Sequence, residues 1–428
     1  MLSIKRLTLF LLLAISQCYY AYRYVLQYNS ESTSPTYQTT PTAFQAGKYV
    51  LFIVLTGVVV LACLKRWKLS FPDAQSFGFY ATVIGYFGWI LLESLLALAF
   101  GSYTIGDLIG IQGLFCLPAV LCLPLLYPRV NVLSMFVRCI LGWGLAYHII
   151  YSAVQMVLYI TIRRLPALAY AGGLVRFGGG WDDPNGFGVY LCLALLLALA
   201  NVQNYSRLKI ILLLAAIGGL LILTISFSAL ICCSVAVVTF VFLRRNIALG
   251  LCLLAMAAIG GLFLLESDSA HDWILHKMEQ KQGSIDARLE DETFDVWQSN
   301  AGFLEYTIGD LRNPMSNENY FVRSIMSFGI VGTGGFLFLL GWAFVKAAQK
   351  ANLAARLHRP RAQAFFAASG AFILGFAVAS NFVSYPIVFP VDFYFWTVCL
   401  LVWIVPVEAA AFAEVDDEAL EIEGALAF

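Results

Sequence analysis

The chain has 428 residues, 61% of them hydrophobic and 12% charged, with 26 Lys+Arg against 26 Asp+Glu and a mean hydropathy of +0.80. A soluble globular chain is nearer half apolar and a quarter charged, so this composition excludes a water-solvated fold and asks for lipid as solvent. Zero net charge leaves no bulk field to recruit nucleic acid, and no nucleic-acid partner is expected.

Lys5 and Arg6 precede an apolar run, as in a secretory signal. The run continues into Tyr19, Tyr20, Tyr22 and Tyr24 without a small-x-small cleavage site, so it reads as an uncleaved first span. Apolar runs of roughly spanning length then recur along the chain. They predict about twelve spans, near 7–26, 48–64, 77–100, 109–127, 132–160, 186–203, 210–226, 228–243, 247–265, 323–346, 362–384 and 391–411. The pair 210–226 and 228–243 fits either a kinked hairpin or two short spans. All ten cysteines fall in apolar runs and read as small buried hydrophobes, with no CxxC pair to suggest a metal or disulfide frame.

Lys and Arg near span ends set the orientation. Lys5/Arg6, Lys65/Arg66/Lys68, Arg129, Arg207/Lys209, Arg244/Arg245 and the group Lys346, Lys350, Arg356, Arg359 and Arg361 alternate correctly with the spans and mark the cytoplasm. The expected fold is therefore an all-α polytopic membrane protein with about 12 transmembrane helices and both termini cytoplasmic. It divides into an N-terminal bundle of about nine helices (1–265), a large external loop (266–322), C-terminal spans (323–411) and an acidic cytoplasmic tail (412–428). The external loops carry arginines against the positive-inside trend: Arg163, Arg164 and Arg176 in one, Arg288 and Arg312 in the other, and Arg323 at its far end. Such cations are either neutralised by neighbouring acids or kept to bind an anion.

Three constellations can carry chemistry. The first runs from Arg176 through three glycines to Trp181, Asp183, Pro184, Asn185 and Gly186. Asp183 fits an N-cap and Pro184 the first helical position. A helix N-terminus beside an arginine is also an anion site. The second is the long loop, whose apolar-periodic stretch from Phe294 to Ile308 predicts a helix lying on the membrane surface. A loop of this length is uncommon unless functional. His271 and His276 within it lack metal-ligand spacing, and no metal is expected. The third is the intramembrane charge of Glu93 and Arg138. Arg138 can snorkel to the cytoplasmic face, whereas Glu93 asks for a structural partner or a ligand. No Walker, Rossmann or nucleophile-elbow sequence is present.

On these residues the chain resembles the bacterial superfamily of O-antigen ligases and Wzy-type polysaccharide polymerases. Arg176 with Pro184-Asn185-Gly186-Phe187-Gly188 is similar to the family's external Arg and Pro-Asn span opening. Residues 266–322 match its long external loop, Arg288 and Trp297 its Arg-then-Trp order, and Glu318-Asn319-Tyr320-Phe321 the close of that loop into a Gly-rich span. The resemblance covers about 170–345. Two departures stand out. Glu318 occupies the position of the ligase histidine, and Ser226-Phe227-Ser228 lacks the arginine often found there.

The resemblance implies metal-independent, cofactor-free glycan transfer from an undecaprenyl-diphosphate-linked oligosaccharide, at the periplasmic face of the inner membrane. Arg176 and Arg288 would hold the diphosphate, and Glu318 would act as base. Asn319 and Tyr320 would orient glycan hydroxyls. Asp183, Asn185, Arg312, Arg323, Arg163 and Glu93 are further substrate-contact candidates. Trp181 and Trp297 fit either sugar stacking or interfacial anchoring. A polymerase of exopolysaccharide (xanthan-like, for example) or O-antigen repeats is the leading expectation, working beside a flippase and chain-length or export proteins. A ligase to lipid or protein is the alternative within the same chemistry, and a polytopic transporter or flippase is the alternative from another class.

Overall fold

The structure is a computed structural model that describes residues 4–18, most of 50–61, and then 71–100, 120–126, 131–162, 168–171, 174–181, 183–246, 292–310, 319–382 and 390–411. Its helices, in chain order, are α1 (Ile4–Cys18), α2 (Ala74–Ala99), and α3, which runs through Val132–Arg138, a π segment Cys139–Gly144 and Leu145–Ile162. Then follow α4 (Pro184–Ala200), α5 (Arg207–Thr224), α6 (Phe227–Arg244), α7 (Glu292–Asn300) and α8 (Phe303–Ile308). The chain continues with α9 (Tyr320–Arg356), α10 (Pro360–Ala379), α11 (Val391–Ile404) and α12 (Val407–Ala411). Six of the described helices are long and apolar enough to cross a membrane. The fold is that of a helical membrane protein, as composition requires. The first part, 109–119, of the span expected near 109–127, the span expected near 247–265 and the acidic tail lie outside the described residues.

Helix starts are written locally. Asp73, Ser206, Ser226 and Asn319 each accept a backbone N–H of the first turn from the capping position. Ile225 and Arg245, both at positive φ, end α5 and α6. Ile225 and Ser226 therefore separate two helices of 18 residues each, both long and apolar enough to cross a membrane.

At the centre stands α11. All fourteen of its residues are buried, which explains why it is apolar on every side. Helix α10 packs antiparallel to α6. Arg244 donates to the Pro360 carbonyl at 2.8 Å at one end, and Phe227 meets Phe382 with ring centroids 6.4 Å apart at the other. Between them Gly375 lets the helices close: a Cβ there would stand 2.6 Å from the Cys232 carbonyl oxygen. The described cysteines Cys122, Cys139, Cys192, Cys232, Cys233 and Cys399 are free and buried. By contrast α5 presents Leu208, Ile211, Leu212 and Ile222 outward, a face suited to lipid.

Two lysines tie one end of this core. Lys350 donates to the carbonyls of Val402, Val405 and Trp403 at 2.6, 2.7 and 3.3 Å, completing the open C-terminus of α11. Lys346 bridges to Asp73 at 3.2 Å and Gln75 at 3.1 Å and lies over the Trp403 ring. Arg244, Arg359, Lys346, Lys350 and the start of α2 thus share the Lys350 end of the bundle.

Three features differ from the sequence expectation. The loop before α4 holds a β-hairpin, β1 (Leu168–Ala171) with β2 (Leu174–Phe177), paired so that Ala169 faces Arg176. The single surface helix expected over Phe294–Ile308 is two helices, α7 and α8, because Gly302 restarts the chain with an extended backbone and Glu305 accepts its N–H at 2.6 Å. The exposed Phe303 and Leu304 on α8 still suit a membrane interface.

The largest difference is in α9. A single span was expected over 323–346, but Gly329 has φ 62° and ψ −170° and folds the helix back on itself. Residues 320 and 336 of a straight helix would stand roughly 24 Å apart. Instead the Tyr320 and Phe336 rings meet at 4.9 Å, and Thr333 donates to Ser324 Oγ at 2.9 Å. The short arm, 320–328, lies against the long arm, 330–356. The turn packs on α8, where the Asp310 N–H donates to the Met326 carbonyl at 2.7 Å.

Candidate functional site

At the end of the bundle opposite Lys350, the constellation around Arg176 closes into a buried polar knot. Asp183 caps α4 with both carboxylate oxygens, accepting from Asn185 N at 3.0 Å and Gly186 N at 2.9 Å, and Pro184 opens the helix as the sequence predicts. The cap fixes Asn185 with its side chain toward β2. Its Oδ1 accepts from an Arg176 terminal nitrogen at 2.7 Å and from Ser226 Oγ at 2.8 Å. Arg176 Nε also donates to the Thr224 carbonyl at 3.1 Å, an acceptor left open where α5 ends. Ser226 Oγ lies 3.1 Å from Ser228 Oγ. Arg176 itself is buried, 6% exposed.

Glycine makes this closure possible. Gly188 on α4 faces α6 so tightly that a Cβ there would overlap Ala229, which brings Asn185 and Ser226 within bonding reach. Gly179, at φ 55°, turns the chain over the Phe187 ring, 2.7 Å from where a Cβ would stand. The result is a guanidinium held by amide and carbonyl oxygens beside a helix N-terminus. The first-turn N–H groups are taken up by Asp183, so the group that an anion would meet here is the Arg176 guanidinium.

Behind the knot, five elements meet through neutral polar groups. The Gly180 N–H donates to His148 Nδ1 at 3.1 Å, so Nδ1 is the bare nitrogen and Nε2, 2.8 Å from Gln17 Oε1, carries the proton. Gln17 donates to the Tyr394 hydroxyl at 2.6 Å, and Ser16 also bonds that hydroxyl. Tyr190 donates to the Ile140 carbonyl, at 2.9 Å, in the π segment of α3. Trp181 lies inside this group, stacked on Tyr394 at 5.8 Å and 2% exposed, rather than at a surface. The network fixes the glycine turn that carries Arg176.

The end of the long loop is placed next to the same end of the bundle. Tyr320 N donates to the Ser380 carbonyl at 3.0 Å, just past α10, and Phe382 beside it touches Phe227 next to Ser226. Asn319 Oδ1 accepts from Phe321 N at 3.0 Å and Val322 N at 3.3 Å and caps the short arm. Tyr320 is buried and its hydroxyl lies 3.3 Å from that of Tyr86 on α2. Both residues therefore anchor the site's edge. Arg323 lies half-buried one turn into the same arm, and Trp297 is buried against Tyr306 at 4.9 Å. Glu93 is buried on α2, with the Trp89 indole one turn earlier as its neighbour.

Arg288, Glu318, Arg312 and Arg163 lie outside the described residues, as do His271 and His276. Among the described residues no group of three His, Cys, Asp or Glu side chains is arranged to hold a metal. Sequence reasoning missed Thr224, Gln17, His148 and Tyr394. Ser226 had a signal: it stands where the resemblance expects an arginine, and in the structure Arg176 reaches that place from β2. No protein-family model matches this chain, and no curated protein matches it.

Proposed function

We propose that the chain is a polymerase of undecaprenyl-diphosphate-linked oligosaccharide repeat units, acting at the periplasmic face of a bacterial inner membrane in exopolysaccharide or O-antigen biosynthesis. The observation that carries this reading is the position of the Arg176–Asn185–Ser226 knot. It stands at the N-terminus of α4, on the end of the bundle opposite Arg244, Lys346, Lys350 and Arg359. Basic residues favour the cytoplasm, so the knot faces outward. An outward-facing buried guanidinium suits a lipid diphosphate, which cannot leave the membrane and needs a fixed cation at its surface.

The reaction needs no cofactor. The acceptor hydroxyl gives its proton to a carboxylate, for which Glu318 is the choice, and its oxygen bonds the donor's anomeric carbon. The bond from that carbon to the diphosphate oxygen breaks, and the electron pair leaves with the diphosphate. Arg176, joined by Arg288, stabilises that charge. Asn319, the residue after Glu318 in the chain, caps the short arm of α9 at the site's edge.

Arg288→Ala and Glu318→Ala should each abolish long polymer while lipid-linked single repeats persist in cell extracts. Normal polymer from both variants would sink the reading. Long lipid-linked polymer that is never attached to its final acceptor would instead mark a ligase of the same chemistry. One observation favours a second class: the folded-back arm of α9 is a device of secondary transporters, whose broken helices line a central site. Here the arm stops beside Ser380, past the last turn of α10, and so keeps to one end of the bundle. Flipping or uptake by the purified protein in liposomes, without glycan transfer, would make it a transporter.

A further inference from the structure

At the Lys350 end a cavity of about 300 Å³ opens between the start of α2, the long arm of α9 and the turn from α11 into α12. Its polar lining is Asp73, Lys346, Gln349, Lys350 and Glu408. Two ammonium and two carboxylate groups, from elements far apart in sequence, thus surround one space. Lys350 spends its three donors on the carbonyls at the end of α11. Lys346 gives two donors to Asp73 and Gln75 and keeps a third. The Gln349 amide is exposed, and so is Glu408, which has no hydrogen bond or ion pair among the described residues.

The apolar helices α2, α6 and α10 begin or end here, at Ala74, Arg244 and Pro360. The cavity therefore stands at the depth where apolar helix gives way to lipid head groups. From it an apolar stripe leads along α9 toward the membrane interior. Leu353, Val345 and Phe338 are exposed and recur at helical spacing on one side of that helix. Phe77, one turn from Asp73 on α2, is exposed as well. Trp342 joins the two helices, its ring 5.3 Å from that of Phe338 and 5.6 Å from that of Phe79. A charged recess at head-group depth, with apolar surface leading away from it, fits an amphiphile better than a water-soluble ion.

The balance of charges selects the head group. One carrying only negative charge would meet Asp73 and Glu408 beside the lysines. A zwitterion with a phosphate and a primary ammonium has a partner for each part. Its phosphate accepts from Lys346 and Gln349, and its ammonium donates to Glu408. A quaternary ammonium has no N–H and would leave that carboxylate without a donor. We propose that the cavity binds the head group of a phosphatidylethanolamine molecule, whose acyl chains lie along the Leu353–Val345–Phe338 stripe of α9. The lipid then clamps α9 to α12 at the end of the central helix α11. This site is independent of the polymerase reading.

The test is native mass spectrometry of the full-length protein released from detergent micelles. Delipidated protein is given equal amounts of phosphatidylethanolamine, phosphatidylcholine and phosphatidylglycerol with identical acyl chains. The first lipid bound should be phosphatidylethanolamine, favoured about threefold over either competitor, as one partly exposed charge pair provides. Glu408→Gln, at an exposed position, should bring phosphatidylethanolamine down to the level of phosphatidylcholine and leave phosphatidylcholine unchanged. Lys346→Met should weaken all three, because each carries the phosphate. Glycerophosphoethanolamine, the same head group without acyl chains, should not displace the lipid at equal concentration.

Equal first-lipid binding of phosphatidylethanolamine and phosphatidylcholine overturns the proposal. A preference that Glu408→Gln leaves intact also overturns it, since the lipid then sits elsewhere on the protein's belt. A preference for phosphatidylglycerol overturns the zwitterion in favour of an anionic lipid. Displacement by glycerophosphoethanolamine at equal concentration overturns the lipid in favour of a soluble phosphate ester. Should Lys346→Met not elute as folded protein on gel filtration, the exposed Gln349→Glu takes its place. It sets a carboxylate against the phosphate and should cut phosphatidylethanolamine binding, and unchanged binding overturns the proposal.

Discussion

Arg176 and Ser226 donate to one and the same atom, Asn185 Oδ1, at 2.7 and 2.8 Å. One comes from a β-hairpin and one from a helix junction, and the first turn of α4 supplies the acceptor they share. Asn185→Leu would leave a buried guanidinium and a hydroxyl without their shared acceptor, which costs about 2–4 kcal/mol. It should lower the melting temperature in detergent and abolish polymer. Asn185→Asp keeps an acceptor for both donors and should fold, yet its charge neutralises Arg176 and, on the polymerase reading, should weaken the hold on a diphosphate. A folded Asn185→Asp protein with undiminished polymer would mean that the Arg176 charge does not serve the donor.

At the opposite end, Lys350 replaces the water that would otherwise satisfy the last carbonyls of α11. Its three donors reach Val402, Trp403 and Val405 from a side chain that is 8% exposed as a residue. Lys350→Met removes the charge and leaves the carbonyls bare, with an expected loss of about 2–5 kcal/mol. Lys346→Met breaks a pair whose carboxylate side is 45% exposed, and should cost about 1 kcal/mol or less. Unfolding in mixed micelles with increasing dodecyl sulfate would rank the two. Equal losses would contradict the separation of roles.

Asp73 gives the same end a pH dependence. Burial pushes its carboxyl upward, but the hydrogen bonds from Ser76 and Lys346 outweigh that and hold it below the usual carboxylate range. A lowered value means that the folded protein binds its proton more weakly than the unfolded chain does. The stabilisation is then complete above the ordinary carboxylate range and is lost as pH falls through the folded value. Asp73→Asn should flatten this part of the stability profile between neutral and acid pH while leaving the neutral-pH fold intact. An unchanged acid limb would place the dependence on other carboxylates.

What the sequence shows and hides follows from the range of the forces involved. Asp183 as cap and Pro184 as first residue were legible because capping is decided within three positions. The spans around α5, α6 and α10 were legible because lipid demands long apolar runs. The His148–Gln17–Tyr394 network was not, because its members come from three distant helices and each reads alone as an ordinary core residue. Glu93 was legible as a problem but not as a place: only the packing of α2 on α9 sets its helix against the arm that begins at Tyr320. Arg288 and Glu318, which carry much of the resemblance, lie outside the described residues.

The fold-back at Gly329 shows the same limit most sharply and yields the last prediction. The run Phe328-Gly329-Ile330-Val331-Gly332 would suit a straight glycine-rich span equally well. The choice is made by α8, which brings the Thr307 carbonyl and Gly309 against Gly329, where an added Cβ would overlap the carbonyl. Gly309, at φ 90°, makes the reciprocal approach to the Ser327 carbonyl. Gly329→Ala therefore meets both a positive φ, costing on the order of 1–3 kcal/mol, and a backbone clash. The short arm should detach from the long one, exposing Tyr320 and α8 while the α6–α10–α11 core holds. Hydrogen exchange should rise across 303–310 and 319–328 and stay low across 360–379, and on the polymerase reading polymer should fall with the loss of the arm that Asn319 caps. Uniform loss of protection throughout the chain would show instead that the hairpin is part of the core's cooperative unit.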